Sequence, residues 1–241
     1  MNIVEPAVRL LAHTAIVPDA IEQRLEIQEG STDAETLTVY AGRSCYESWS
    51  RPNEKTREDK DYLRRTLFEQ GHFSILEHAS ATFYLTGVSR ALLAEITRHR
   101  HLSFSVLSQR FVDESDASIV IPPAARKSEA EVVYDSEEFH DDLKGSLPKA
   151  LEWWAGEAVW NYEDLVSALT GEGLPRKQAR EAARAVLPNM IETRIVVTGN
   201  MRAWHEVITR RTAPDADAEF QQVAGLIRDE LKKIAPAIFT D

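Results

Sequence analysis

Arg98-His99-Arg100-His101-Leu102-Ser103-Phe104-Ser105-Val106-Leu107-Ser108-Gln109-Arg110 is the stretch of this chain richest in groups that can do chemistry. Three arginines, two histidines and three serines fall within thirteen positions of a chain whose formal net charge is −11. A cationic island in an acidic protein is a local device, and it points to a small anion rather than to a polyanion. Guanidinium forks with hydroxyls around them suit phosphate and carboxylate recognition. Arg98 and Arg100 also fit a plainer role, as cations in the last turn of a helix. That role leaves Ser103, Ser105, Ser108 and Arg110 unexplained. If these arginines converge in one pocket, repulsion and desolvation cost on the order of several kcal/mol per ion. An anionic ligand would offset that cost.

Other cations recur at meaningful spacing. Lys177, Arg180 and Arg184 share one helix face at i, i+3 and i+7. Arg202, Arg210 and Arg211 lie on the following helix. For Lys177, Arg180 and Arg210 the plain reading is a solvated face paired with the many acids. His72-x5-His78 and His99-x-His101, with Glu77 or Glu95, could be read as metal ligands, but no compact His-Glu-x-x-His motif exists. His99 reads as a hydrogen-bonded, partly buried histidine on an apolar stripe. Cys45, beside Arg43, is either an activated thiol or a small buried hydrophobe. Ser108 lacks a Gly-x-Ser-x-Gly elbow and reads as a binding hydroxyl. There is no Gly-x-Gly-x-x-Gly and no phosphate loop.

These groups need elements to position them. Val8 to His13 reads as a short strand, Asp33 to Ser48 as a helix, and Thr56 to Gln70 as a charged helix closed by Gly71. From Ala79 to Thr86 apolar and polar residues alternate, as in a half-buried strand. Val88 to Arg100 returns to helical spacing, with Val88, Leu92, Ile96 and His99 on one stripe. Arg110 to Val112 and Ser118 to Ile121 are candidate short strands. Lys127 to Lys144 carries seven acids and two lysines and reads as a solvated helix face or a mobile insertion. Leu147 to Leu169 is a long helix with Pro148 in its first turn. Lys177 to Leu187 is a short helix, Ile191 to Thr198 a β-branched strand, and Met201 to Arg211 a helix. The last helix places Phe220, Val223, Ile227, Leu231 and Ile234 on one stripe.

The strands are too few and irregular for a doubly wound parallel sheet. The expectation is α+β: a single domain over residues 1–241 with a small, mostly antiparallel sheet flanked by helices. Hydrophobic residues make up 43% of the chain, enough for a substantial core, which excludes global disorder. The acidic balance disfavours nucleic acid as a partner. One cysteine excludes an intrachain disulfide and a four-cysteine zinc site. Neither a signal peptide nor a membrane span is apparent, so a cytoplasmic location is expected.

Arg98 to Ser108 fits Arg-His-Arg-x7-Ser, which resembles the signature of flavin-dependent thymidylate synthases. Gly71-His72-Phe73-Ser74-Ile75-Leu76-Glu77-His78 resembles that family's upstream flavin segment. Arg184-Ala185-Val186-Leu187-Pro188 and Thr198-Gly199-Asn200-Met201-Arg202 resemble its downstream segments, and Gly42 to Trp49 has the same likeness. The resemblance implies reductive methylation of dUMP to dTMP. Methylenetetrahydrofolate would be the carbon donor, FAD the redox cofactor and NADPH the reductant. It also implies a homotetramer whose sites are shared between subunits.

Position by position, the resemblance implies flavin contacts at Ser74, Arg98, His99, Arg100, Val106, Asn200, Met201, Arg202 and Glu206. It implies nucleotide contacts at Glu95, Arg98, Val106, Leu107, Ser108, Gln109, Arg110, Arg184 and Arg211. Arg211 resembles the arginine that stabilises the ionised uracil ring and is the expected catalytic residue. No metal is expected. The chain departs from the pattern at Val106, where Glu or Gln is common, and at Glu206, where a neutral or basic residue is common. Glu95 replaces a frequent Gln, and its spacing from Arg98 lets it hold that guanidinium in place. A metal-dependent nucleotide phosphohydrolase and a module that only binds a small anion are the alternatives.

Overall fold

The computed structural model describes residues 1–134 and 143–240. In chain order the elements are β1 (Ala7–His13), α1 (Pro18–Glu22), α2 (Asp33–Ser44), α3 (Asp59–Leu63) and β2 (Ser80–Ser89). Then come α4 (Arg90–Ile96), β3 (Leu102–Val106), α5 (Pro123–Arg126), β4 (Glu131–Tyr134) and β5 (Leu143–Ser146). The chain closes with α6 (Leu147–Gly171), α7 (Arg176–Ala183), β6 (Glu192–Asn200), α8 (Met201–Arg211) and α9 (Ala218–Ile234). The fold is α+β, as the sequence leads one to expect.

Among the described residues the main sheet runs β1-β2-β6-β3, with every pair antiparallel. The alternation of Ala81, Phe83 and Leu85 with Thr82, Tyr84 and Thr86 turns the first set into the core and leaves the second half-buried. The apolar face of the sheet packs on α8 and α9 through Phe83, Val197, Trp204, Phe220 and Ile227. Trp204 is fully buried, yet its indole N–H donates to the Ala81 carbonyl at 3.1 Å, so burying it strands no polar group. The stripe read in the last helix is the buried face of α9, apart from Ile234, which is only partly buried. A smaller apolar cluster of Ile119, Ile121, Ala155, Val159 and Ile191 lies against α6.

Several boundaries differ from the sequence reading, each for a local reason. The segment 56–70 is not one helix. Arg43 donates to the Thr56 carbonyl at 2.6 Å, and Arg51 pairs with Asp59 at 2.6 Å, so two buried arginines pin residues 51–59 before α3 begins. After α3 the chain widens into a turn in which the Gln70 N–H reaches back five residues to Arg65. The helix expected to end at Ser48 stops at Ser44, because the chain turns back through Glu47 and Arg51 in left-handed conformations. β2 runs on through Gly87 to Ser89, whose hydroxyl caps α4, so the helix expected at 88–100 covers only 90–96.

Arg98 and Arg100 therefore lie in the turn after the helix, and the serine run that follows is an edge strand, β3. The candidate strand at 110–112 is a turn, closed by the Phe111 and Val112 N–H groups on the Ser108 carbonyl. In the candidate strand at 118–121, Ile119 makes only isolated bridges, to Ile3 and Ile191. The acidic 127–144 segment contains β4 paired with β5, not a helix face; its residues 135–142 lie outside the described residues. Here β-branched Val132 and Val133 outweigh the charge pattern.

Gly199 sits where β6, β3 and α8 meet. A Cβ there would come within 2.4 Å of Leu102 Cδ2 and 3.2 Å of Trp204 Nε1. Gly199→Ala should therefore overpack this junction and cost about 1–3 kcal/mol. That corresponds to a fall of roughly 2–10 °C in Tm, to be read by a thermal scan against wild type. An unchanged Tm would show that the junction has slack.

Candidate active site

The turn after α4 and the outer face of α8 form the two walls of a cavity of about 330 Å³. Arg98, His99, Arg100, His101 and Leu102 line one wall, and Ala203, Glu206, Arg210 and Arg211 the other. The register of the sheet creates this meeting: Leu102 pairs with Gly199 on β6, which runs directly into α8. The two ends of a long sequence separation are thus neighbours.

Arg211 is the best-anchored cation in this cavity. Its Nη1 donates to Glu95 Oε2 at 2.9 Å and its Nε donates to His99 Nε2 at 3.0 Å. Its guanidinium lies 4.7 Å from the Phe220 ring centroid, a favourable cation–π distance. The side chain is only 17% exposed. Glu95 uses its other oxygen on Arg98 at 3.5 Å, and Arg98, at 72% exposed, keeps its freedom. Glu95 therefore holds one guanidinium firmly and a second one loosely. His99 is partly buried and meets Phe220 edge-on at 5.9 Å. Burial first, and then the Arg211 charge, lower its pKa below the ordinary histidine value. Neutral His99 must carry its proton on Nδ1, since Nε2 accepts from Arg211.

A second cavity, of about 200 Å³, adjoins the first through His101, Ala203 and Glu206 and is also lined by Glu77, Asn200 and Arg202. Asn200 caps α8: its Oδ1 accepts from the Ala203 N–H at 2.8 Å, which leaves the Nδ2 donors for a ligand. Arg202 pairs with Glu77. Ser74 is exposed on the short turn Phe73–Glu77, which rests on α8 through Phe73 and His205, 4.9 Å apart. Met201 is fully buried and its N–H donates to the Ala79 carbonyl at 2.8 Å, so it supports the cavity floor from within rather than facing a ligand. Glu206 pairs with Arg210 at 2.9 Å. Arg98, Arg100, Arg202 and the Asn200 amide give donors of the kind that fit a diphosphate-bearing cofactor.

The other expected residues stand elsewhere. Val106 ends β3 opposite Ile195, and the Leu107 N–H donates to the Arg194 carbonyl at 2.9 Å. Ser108, Gln109 and Arg110 follow on a loop, and Arg184 is exposed just after α7. None of these six lines either cavity. Gln109 is buried and its Nε2 has no partner among the described residues.

Arg180, given a surface role on sequence grounds, is buried instead. It donates to the Phe111 carbonyl at 2.8 Å and pairs with Asp113. Glu114, next to Asp113 in the chain and marked by no sequence signal, is buried, and burial raises its carboxyl to about 7. Cys45 is exposed, not the buried hydrophobe its helical pattern favours. Among the described residues no three histidine, cysteine or carboxylate side chains gather as a metal would require.

The chain matches the family model described as thymidylate synthase complementing protein over residues 27–237. It is 44% identical to a probable flavin-dependent thymidylate synthase of Mycobacterium phage L5, over 97% of this chain and 96% of the relative. It is 43% identical to a flavin-dependent thymidylate synthase of Mycobacteroides abscessus, over 100% of this chain and 91% of the relative. A flavin-dependent thymidylate synthase of Mycobacterium tuberculosis is 45% identical over 88% of this chain and 82% of its own length. These relatives lend no support to a phosphohydrolase.

The neutral state of His99 gives a pH test. Its folded pKa lies below the unfolded value, so the unfolded chain takes up the proton first as pH falls. The contribution to stability is intact above about pH 6.5 and declines below it, until pH passes the folded pKa. His99→Gln should remove this one contribution, so that the change in Tm from about pH 7 to about pH 5 is less negative, or more positive, than in wild type. His205, also lowered by burial, adds a slope of the same sign, whereas Glu114 and Glu219, raised by burial, add slopes of the opposite sign, so the readout is the difference between the variant and wild-type profiles. A variant profile parallel to wild type would remove His99 from that dependence.

Proposed function

This chain belongs to the family of flavin-dependent thymidylate synthases, and on that premise we propose that it converts dUMP to dTMP. Methylenetetrahydrofolate donates the carbon and NADPH is the reductant. The observation that carries this reading is Arg211, fixed by Glu95 and His99 in the wall of a cavity lined by Arg98, His99 and Arg100. A guanidinium held by three contacts needs no reorganisation when charge develops beside it, which is the condition for electrostatic stabilisation. A guanidinium is a permanent cation, so Arg211 can stabilise an ionised pyrimidine edge without exchanging a proton.

FAD is the proposed cofactor. Arg98, Arg100, Arg202 and the Asn200 amide would hold its phosphates, with Ser74 and Glu206 at the margins. When bound, the flavin supplies the reducing equivalents that turn a transferred methylene into a methyl group. Arg98, tethered only on one side, is free to move onto a phosphate. His99, neutral, holds Arg211 in its orientation rather than moving a proton. At Val106 the backbone is what remains for contact, while Met201 supports the site from within the core.

The nucleotide phosphate is assigned to Ser108, Gln109, Arg110 and Arg184; the Leu107 N–H is held by the Arg194 carbonyl, so Leu107 anchors the start of this loop. Their distance from the Arg211 cavity in one chain supports a site shared between subunits of a homotetramer. A single domain over 1–241 and a cytoplasmic location complete the reading. No helix among the described residues is long and apolar enough to cross a membrane.

The purified protein should carry a flavin absorbance that NADPH bleaches. With dUMP and methylenetetrahydrofolate it should form dTMP. Arg211→Ala should lower kcat by about 100–1,000-fold while flavin remains bound, the loss typical of removing a preorganised charge donor. Methylation at the wild-type rate by that variant would take Arg211 out of the mechanism.

A further inference from the structure

The loop from Leu107 to Ala117 has little of its own to define its shape. Its backbone bonds are a Leu107–Arg194 contact at one end, a single turn on the Ser108 carbonyl, and an Ala117–Glu114 turn at the other end. Two of its side chains, Phe111 and Val112, point to solvent, so apolar burial does not fix them. Lys177 of α7 lies 5.0 Å from the Phe111 ring centroid on the outside, and a buried charge from the same helix reaches the loop from within. The Arg180 fork donates to the Phe111 carbonyl at 2.8 Å through Nη1 and pairs with Asp113 through Nη2. Asp113 is itself held by the Ser115 hydroxyl at 2.6 Å and the Ser115 N–H at 3.2 Å. Those bonds, with Arg180, lower the Asp113 pKa, so the pair stays ionic.

The position of Arg180 on its helix gives this clamp a meaning. It lies one helical turn before Arg184 and next to Glu181, which pairs with Arg110 at 3.2 Å. One short helix thus presents Arg184 and grips the loop that carries Ser108, Gln109 and Arg110. We propose that Arg180 is a positioning residue that sets the Ser108–Arg110 loop against Arg184, so that both halves of a phosphate-binding site face the same anion. The proposal rests on the assignment of these four residues to the nucleotide phosphate. Arg180 does not touch the ligand; it acts through the Phe111 carbonyl and Asp113. A lysine does not reproduce the arrangement, because it offers one nitrogen where the planar fork aims two, Nη1 and Nη2, at separate acceptors.

The test uses the flavin-loaded protein and variants Arg180→Gln, Arg180→Lys and Asp113→Ala. The dUMP Kd is read from the flavin spectrum, and KM, kcat at saturating dUMP, flavin content and Tm are measured alongside. Arg180→Gln should raise Kd and KM for dUMP by about 10–100-fold, the loss expected for misaligned charge-assisted hydrogen bonds. Flavin content and kcat at saturation should stay within about 3-fold, because the cavity of Arg98 and Arg211 lies outside this loop. Arg180→Lys should not restore KM. Asp113→Ala should give a smaller rise, since the Phe111 carbonyl bond survives, and the double variant should be less than additive.

Wild-type KM in a folded, flavin-loaded Arg180→Gln protein would overturn the proposal. Where that variant fails to fold, wild-type dUMP affinity in Asp113→Ala would overturn it instead. A wild-type protein that neither binds dUMP nor forms dTMP would sink the functional reading itself, a result separable from a variant-insensitive KM in an active enzyme.

Discussion

The carboxylate of Glu95 is the constraint on which the arrangement of the site depends. A cavity wall built from several guanidinium groups repels itself, and partial burial strengthens that repulsion. Glu95 meets Arg211 with one oxygen and Arg98 with the other, so a single negative charge tolerates two cations in unequal ways. Arg211 is shielded by Phe220 and closed in by His99, while Arg98 keeps its solvent exposure. A glutamine here could satisfy only one of these partners as an acceptor and would bring no charge. The choice of a carboxylate at position 95 therefore decides which arginine is held and how firmly.

The same economy of counterions recurs around the site. Arg202 has Glu77, Arg210 has Glu206 and Arg110 has Glu181. These pairs are partly exposed and individually weak. Such pairs are replaceable: an incoming phosphate can take the guanidinium from a solvated carboxylate at small cost. The firm contacts belong to groups that must not move, namely Arg211 on the cavity wall and Arg180 behind the loop. Exposure thus sorts the arginines into those that can change partner on binding and those that define shape.

Much of this was legible in the residues, and the rest was not for identifiable reasons. Met201–Arg211 and the apolar stripe of α9 follow from a clean 3.6-residue period that nothing interrupts. β2 follows from strict alternation. The Arg98–His101 segment misleads because His99 continues the stripe of Leu92 and Ile96, although the helix has already ended. The turn there is imposed from afar, by the pairing of Leu102 with Gly199. Arg180 is equally opaque: three cations at helical spacing look like a solvated face. Only the return of residues 111–113 over that face makes one of them buried. A local signal announces an element, but what covers an element is decided by chain that is distant in sequence.

The two halves of the Arg98–Arg110 run end in different places. Its first half faces the cavity with α8, and its last three residues lie on a loop clamped to α7. β3 separates them and runs as an edge strand with serines on its exposed face. An edge strand of five residues spans roughly 17 Å, too far for one small phosphate to bridge both ends within a single chain. A ligand touching both halves must then meet them from two copies of the chain, or must itself be extended. The strand between the two parts of the motif is a ruler, setting how far apart one chain offers its two sets of cations.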